Sequence, residues 1–257
     1  MIIIMQDIYV GDIGKGLPLV LVHGFLGSSQ MWKPQIQYFK KNYRVLTPDL
    51  PGFGKSHKFK SCSSIISMAQ TVLSCLKKRG IKKFYLLGHS MGGMIVQEIT
   101  KIVRDEVLKL ICYGTGPIGE MPDRFESIDQ SREKLKKRGL KLTAHRIAKT
   151  WFVKQEKAKY FYLCSNSGKA TNLDAADNAL VAMKNWNGLK NLKKIKNKTL
   201  IVWGDHDKSY NFNQVEILNK NIQNSELKIF KGCSHNIHLE KPDKFNDCVK
   251  TFLQKKN

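Results

Sequence analysis

The chain has 257 residues, 42% of them hydrophobic and 25% charged, with 44 Lys and Arg against 21 Asp and Glu for a formal net charge of +23. That balance belongs to a soluble globular protein and excludes a disordered or fibrous chain, and the length suffices to bury a large core in one domain with room for an inserted subdomain. The six cysteines, at 62, 75, 112, 164, 233 and 248, form no Cys-x-x-Cys pair and no metal-ligand spacing, so no disulfide framework, metal or cofactor is implied and a reducing cytoplasm is the expected compartment.

Residues 1–5 are apolar but lack a basic flank and end at Gln6 and Asp7, so they read as a first strand and not a signal peptide. No later stretch approaches the roughly 18 apolar residues of a membrane span. A strand is expected at 19–22, running straight into His23-Gly24-Phe25-Leu26-Gly27. Glycine at 24 permits close backbone approach, which makes the N–H of Phe25 a candidate donor to a developing oxyanion. A helix at 31–39, a strand at 44–47 and a helix at 63–78 follow, the strand ending in Asp49-Leu50-Pro51-Gly52-Phe53-Gly54-Lys55-Ser56.

Next comes Phe84-Tyr85-Leu86-Leu87-Gly88-His89-Ser90-Met91-Gly92-Gly93, an apolar strand, a Gly-x-Ser-x-Gly turn and the start of a helix at 91–102. This pattern holds a serine in a strained turn, and glycine on either side lets strand and helix approach without a Cβ clash. Ser90 is therefore a candidate nucleophile, and the Met91 N–H a second oxyanion donor. After a strand at 107–113 the alternation stops. Residues 113–198 turn helical, polar and basic, with helices expected at 123–138, 140–152, 155–165 and 173–185. We read this stretch as a helical cap, residues 117–190, inserted between core segments 1–116 and 191–257. Such a cap excludes water and supplies an apolar pocket, for which His23, Gly24, Phe25, Trp32, Met91, Met94 and Trp151 are candidate lining residues.

The alternation then resumes with strands at 199–203 and 227–230 and helices at 212–221 and 243–253. The first strand ends in Gly204-Asp205-His206-Asp207 and the second in Gly232-Cys233-Ser234-His235. A serine nucleophile needs a base and an acid to orient it, and both loops leave the carboxyl ends of strands, where ligands bind in parallel sheets. Alternating strands and helices predict an α/β fold, a mostly parallel sheet with helices on both faces.

These motifs together resemble the α/β-hydrolase fold superfamily, from about residue 17 to residue 253. The resemblance rests on His23-Gly24-Phe25, the segment 49–56, Gly88-His89-Ser90-Met91-Gly92-Gly93, Gly204-Asp205-His206-Asp207, and Ser234-His235 before Glu240-Lys241-Pro242. It implies Ser90 as nucleophile, Asp207 as orienting acid in preference to Asp205, and His235 as base. Ser234 stands where members of the family often carry glycine, and a small residue should fit there. His206 reads as a solvated loop residue, His238 as packing against the closing helix, and His89 as orienting the turn or lining the pocket. His23 reads as shaping its loop, and His57 and His145 have no motif around them.

The stretch 121–198 holds 19 basic and 7 acidic residues, about half of the net charge. A basic surface attracts polyanions, and an acidic carrier protein is one conceivable partner. The lysines are nevertheless spread along the whole chain and no nucleic-acid module is recognisable, so compositional bias is the favoured account.

The expected function is a serine hydrolase cleaving a small carboxylic ester through an acyl-enzyme on Ser90. The alternatives are a carbon–carbon bond hydrolase, an enol-lactonase, an esterase of carrier-bound acyl methyl esters, and a non-catalytic ligand receptor on the same fold. Many carbon–carbon hydrolases of the family carry tryptophan directly after the catalytic histidine, where this chain has Asn236. Serine at the nucleophile position disfavours haloalkane dehalogenase and epoxide hydrolase relatives, which use aspartate.

Overall fold

The computed structural model describes residues 7–120 and 124–255. The strand expected at 1–5 and the first residue of the helix expected at 123 lie outside them. Strands β1 (Val10–Ile13), β2 (Pro18–Val22), β3 (Arg44–Pro48), β4 (Phe84–His89), β5 (Val107–Tyr113), β6 (Thr199–Gly204) and β7 (Ser225–Phe230) form one 7-stranded sheet in the order β1-β3-β2-β4-β5-β6-β7. Every neighbouring pair is parallel except β1 with β3. The sequence reading missed β1 because Val-Gly-Asp-Ile is too short and too polar to show alternation. It is held at the edge by antiparallel pairing and by a two-pronged contact of Arg44 with Asp12 at 2.6 and 2.8 Å.

Helices α1 (Lys33–Phe39), α2 (Ile65–Lys78), α3 (Met91–Ile102), α4 (Ile128–Thr150), α5 (Phe161–Lys169), α6 (Leu173–Lys184), α7 (Phe212–Asn221), α8 (Ile237–Glu240) and α9 (Pro242–Gln254) surround the sheet. The period of 2 along a strand sends Leu19 and Leu21 to one face, against Trp32, Phe39, Phe245 and Val249. Val20 and Val22 point to the other, which carries α2, α3, α7 and the helices between β5 and β6. Both faces are covered, so the inner strands read as nearly continuous apolar runs instead of alternating. Among the described residues no helix is long and apolar enough to cross a membrane.

The helices between β5 and β6 match their expected form in part. The expected division between 138 and 140 is present, since α4 breaks at Gly139, whose φ of 76° and ψ of 170° are not helical, although its first half begins only at Ile128. The helix expected at 155–165 starts only at Phe161, because the polar run 154–159 offers no apolar stripe, and it makes just a 3-10 turn at Gln155–Lys157. The helical segment between β5 and β6 is tied to the rest of the fold by polar contacts. Asn172 N–H donates to the Gly52 carbonyl at 2.8 Å, Asn178 to Ser61 at 2.8 Å, and the Asn236 N–H to the Trp151 carbonyl at 3.0 Å. Glu240 joins the two parts, accepting from Val153 N–H in the turn after α4 and from Ser234 N–H in the histidine loop.

Candidate active site

Ser90 sits in the turn between β4 and α3 with φ 58° and ψ −122°, a conformation that costs a side-chain-bearing residue roughly 1–3 kcal/mol. Its neighbours explain why the turn is possible. A Cβ on Gly88 would lie 2.2 Å from the Gly92 carbonyl oxygen, and one on Gly92 would lie 2.3 Å from that of Val22. The turn is pinned by Ser90 N–H to the Tyr113 carbonyl at 2.9 Å and by the Thr115 hydroxyl to the Ser90 carbonyl at 2.8 Å.

The loop after β2 presses against this turn. A Cβ on Gly24 would meet the Ser90 Cβ at 2.8 Å, so only glycine fits. Its shape is set by His23, whose Nδ1–H donates to the Gly24 carbonyl at 2.8 Å while Nε2 accepts from the Leu50 N–H at 3.0 Å. Burial holds His23 below its ordinary pKa, so the neutral ring can keep both bonds. The Met91 N–H belongs to the first turn of α3 and has no intrahelical acceptor, while Phe25 follows the glycine that touches Ser90.

The loops after β6 and β7 meet because Gly204 lets them: a Cβ there would be 2.5 Å from both the Cys233 and Ser234 carbonyl oxygens. His235 Nδ1 lies 2.8 Å from Asp207 Oδ2, with both side chains buried. The other oxygen, Asp207 Oδ1, accepts from the N–H groups of Ser209 at 2.7 Å and Tyr210 at 3.2 Å, which fixes the carboxylate's orientation. Asp205 has a different task. Burial works against its charge, but the N–H groups of Gly232 and Cys233 outweigh that and hold its pKa down; it braces the histidine loop and does not touch His235. Ser234 fits where the family often has glycine, and its hydroxyl donates to the Thr150 and His206 carbonyls.

The His235 backbone is held as firmly as its ring. The Tyr113 hydroxyl donates to its carbonyl at 2.8 Å, and His89 Nε2 lies 3.2 Å from the same oxygen. Burial drives His89 well below the ordinary histidine range, helped by the neighbouring His235 and His238, so this ring is neutral. His238 packs against Phe245 of α9 and Trp32, far from a proton-transfer role, and burial pushes its pKa down to about 3.

One residue unseen in the sequence connects the serine to the histidine. Tyr210 stacks on the His235 ring at 5.7 Å with an interplanar angle of 12°, and it lines the same cavity as Ser90. Burial pushes its hydroxyl up to about 12, so it stays protonated. Nothing in the spacing of Asp207-Lys208-Ser209-Tyr210 marks this role.

Ser90 opens onto a cavity of about 20 Å³ lined by Phe25, Arg124, Ile147, Trp151, Met183 and Tyr210, with Ser209 and Gly119 at its margin. Of the expected lining residues, Phe25 and Trp151 stand on its wall. His23, Gly24, Met91 and Met94 are packed behind it, and Trp32 is a correction: it is 1% exposed in the core on the opposite face of the sheet, against His238 and His89. The 3-10 turn at Ser29–Trp32 swings its side chain under the sheet. Larger cavities, of about 650 Å³ beside Asp207 and Lys208 and about 840 Å³ along β7 and α9, do not reach Ser90.

With a strained serine at a glycine-packed turn, a carboxylate-bound histidine and a mostly parallel seven-stranded sheet, the fold and site define the class. A model of the alpha/beta hydrolase fold family matches residues 18–242, and the chain belongs to that family as a hydrolase. It is similar to the (E)-2-((N-methylformamido)methylene)succinate hydrolase of Acinetobacter baylyi, at 25% identity over 94% of this chain and 92% of that protein. It is also 28% identical to a putative non-heme chloroperoxidase of Synechocystis sp., over 96% and 95% of the two chains. Among solved structures, an esterase from Exiguobacterium antarcticum superimposes with a TM-score of 0.88, at 24% identity over 96% of each chain.

Proposed function

We propose that this hydrolase cleaves a small carboxylic ester by nucleophilic catalysis at Ser90, with His235 as base, Asp207 as orienting acid and residues 117–190 acting as the cap. The observation that carries this reading is the 2.8 Å contact of His235 Nδ1 with an Asp207 carboxylate whose other oxygen is locked by two backbone N–H groups. That contact assigns the ring proton to Nδ1 and leaves Nε2 as the basic nitrogen.

In the acylation step the Ser90 oxygen attacks the ester carbonyl while its proton passes to His235 Nε2, and the carbonyl electron pair moves onto an oxyanion facing the N–H groups of Phe25 and Met91. Collapse breaks the bond to the alcohol oxygen, which takes the proton from Nε2 and leaves. Water then attacks the acyl-serine, giving its proton to Nε2 and restoring Ser90 as the acid departs. A space of about 20 Å³ beside Ser90 is far smaller than an ester, so substrate binding requires Ile147, Trp151 and Met183 to draw back from Phe25.

Labelling with a fluorophosphonate tests the assignment. Modification confined to Ser90, with parallel loss of hydrolysis of p-nitrophenyl butyrate, is expected. Labelling that persists in Ser90→Ala, or undiminished turnover in that variant, is the opposite outcome and contradicts the assignment.

A further inference from the structure

Arg124 stands on the wall of the cavity that holds Ser90. Its Nη1 is fully buried and has no hydrogen-bond partner. Glu126, the carboxylate that acts on it, is already saturated: Arg146 contacts its two oxygens at 2.8 Å each, Lys134 contacts it at 2.7 Å and the Ser131 hydroxyl donates to it. Burial works against the charge of Arg124, Arg146 adds repulsion, and the remaining neighbour, Tyr210, is a neutral phenol. A guanidinium does not escape this situation by losing its proton, as a lysine can, so a dry donor without an acceptor is a standing cost. The side chain is nonetheless held in place. It lies over the Phe125 ring at 5.2 Å, and the Phe125 N–H donates to the carbonyl of Lys208, the residue after Asp207, at 3.2 Å.

We propose that Arg124 is a carboxylate-binding subsite and that the substrate is a short ester whose acyl part carries a second, free carboxylate. This rests on the ester-hydrolase reading above. The acyl part is the one this wall faces for longest, because it stays bonded to Ser90 after the alcohol has left. A single planar guanidinium beside a neutral tyrosine hydroxyl matches a carboxylate, whereas a phosphate dianion calls for more donors and more charge than this wall supplies. Arg124 and Ser90 share the wall of one small cavity, so only a few carbons separate the anion from the scissile carbonyl. Arg124 binds the substrate and does not enter the bond-making steps.

The test compares monomethyl succinate with methyl butyrate, which differ by a carboxylate in place of a terminal methyl group, in wild type, Arg124→Met and Arg124→Lys. Wild type is expected to favour the succinate hemiester at least about tenfold in kcat/KM, and the ratio of the two substrates should fall by about 30-fold or more in Arg124→Met, with Arg124→Lys between. The preference should persist in 1 M salt, since a buried pair is weakly screened while attraction by the basic surface is not. A wild-type preference for methyl butyrate, an unchanged ratio in Arg124→Met, or a preference abolished by salt overturns the proposal. Glutarate binding separates this proposal from the hydrolase reading and stands in where a variant is too unstable to assay. If neither ester is cleaved, calorimetric binding of glutarate to wild type that is lost in Arg124→Lys or Arg124→Met supports the subsite alone, and absence of glutarate binding to wild type overturns it.

Discussion

Replacing Asp207 with asparagine changes one atom's chemistry in a site whose geometry dictates the consequence. Oδ1 of Asp207 accepts from the Ser209 and Tyr210 N–H groups at 2.7 and 3.2 Å, so an asparagine there must keep its carbonyl oxygen at that position, since an amide nitrogen would face two donors. Its NH2 group is then aimed at His235 Nδ1, 2.8 Å away in the native pair. Two donors cannot share that contact, so Nδ1 becomes the acceptor and the ring proton moves to Nε2. The nitrogen that should take the Ser90 proton is now occupied. The expected loss in kcat is about 10⁴-fold, or ~5.5 kcal/mol of transition-state stabilisation, the scale of a tautomer inversion in this kind of triad. Because all three hydrogen bonds are kept, the fold should survive, with Tm shifted by no more than about 5 °C. Steady-state hydrolysis of p-nitrophenyl butyrate, normalised by fluorophosphonate titration of wild type, reads the rate, and calorimetry reads the fold. Asp205→Asn is the control, because an asparagine carbonyl can still accept from the Gly232 N–H; we expect less than about a fivefold change. A folded Asp207→Asn enzyme within tenfold of wild type, or Asp205→Asn as the more damaging change, would refute the reasoning.

Two further outcomes follow from strain and from burial. Ser90→Gly removes a side chain from a backbone at φ 58°, so it should be inactive yet more stable than Ser90→Ala by about 1 kcal/mol in urea unfolding; equal stabilities would mean that the turn stores no strain. His23, His89 and His238 are all held below their ordinary pKa by burial, His238 down to about 3, so below roughly pH 6.5 the unfolded chain takes up protons that the folded protein refuses. Stability is therefore full above that pH and falls as the pH drops toward the folded values, by up to about 1.4 kcal/mol per pH unit for each histidine. Unfolding free energies between pH 4 and 8 should show that decline, shallower by one proton's worth in His238→Gln, and a variant with the wild-type slope would exclude His238 as a contributor.

Local chemistry made the fold class legible in the sequence and singled out candidate reacting groups. A serine between glycines after an apolar strand has few other uses, and the glycines at 88 and 92 prove to be required by contacts of 2.2 and 2.3 Å that any Cβ would make. Only resemblance to a family singles out Asp207 over Asp205 in the sequence, and in the structure Asp207 is the one that touches His235. The short edge strand β1 was not, because it is stabilised by pairing with β3 and by Arg44, residues distant in sequence. The pocket was the least legible part. Trp32 and Met94 are apolar residues near the motifs, yet which face an apolar side chain takes depends on how helices and sheet pack, and both went to the core. Tyr210 and Arg124 carry no spacing signal at all. Their placement beside Ser90 comes from the meeting of the β6 loop, the cap entry and the turn after β4, segments separated by up to 120 residues. The sequence by itself determined which groups can react, because reactivity belongs to residue type and its immediate neighbours; the tertiary structure alone decided what they face, because a cavity wall is assembled from segments that share no local pattern.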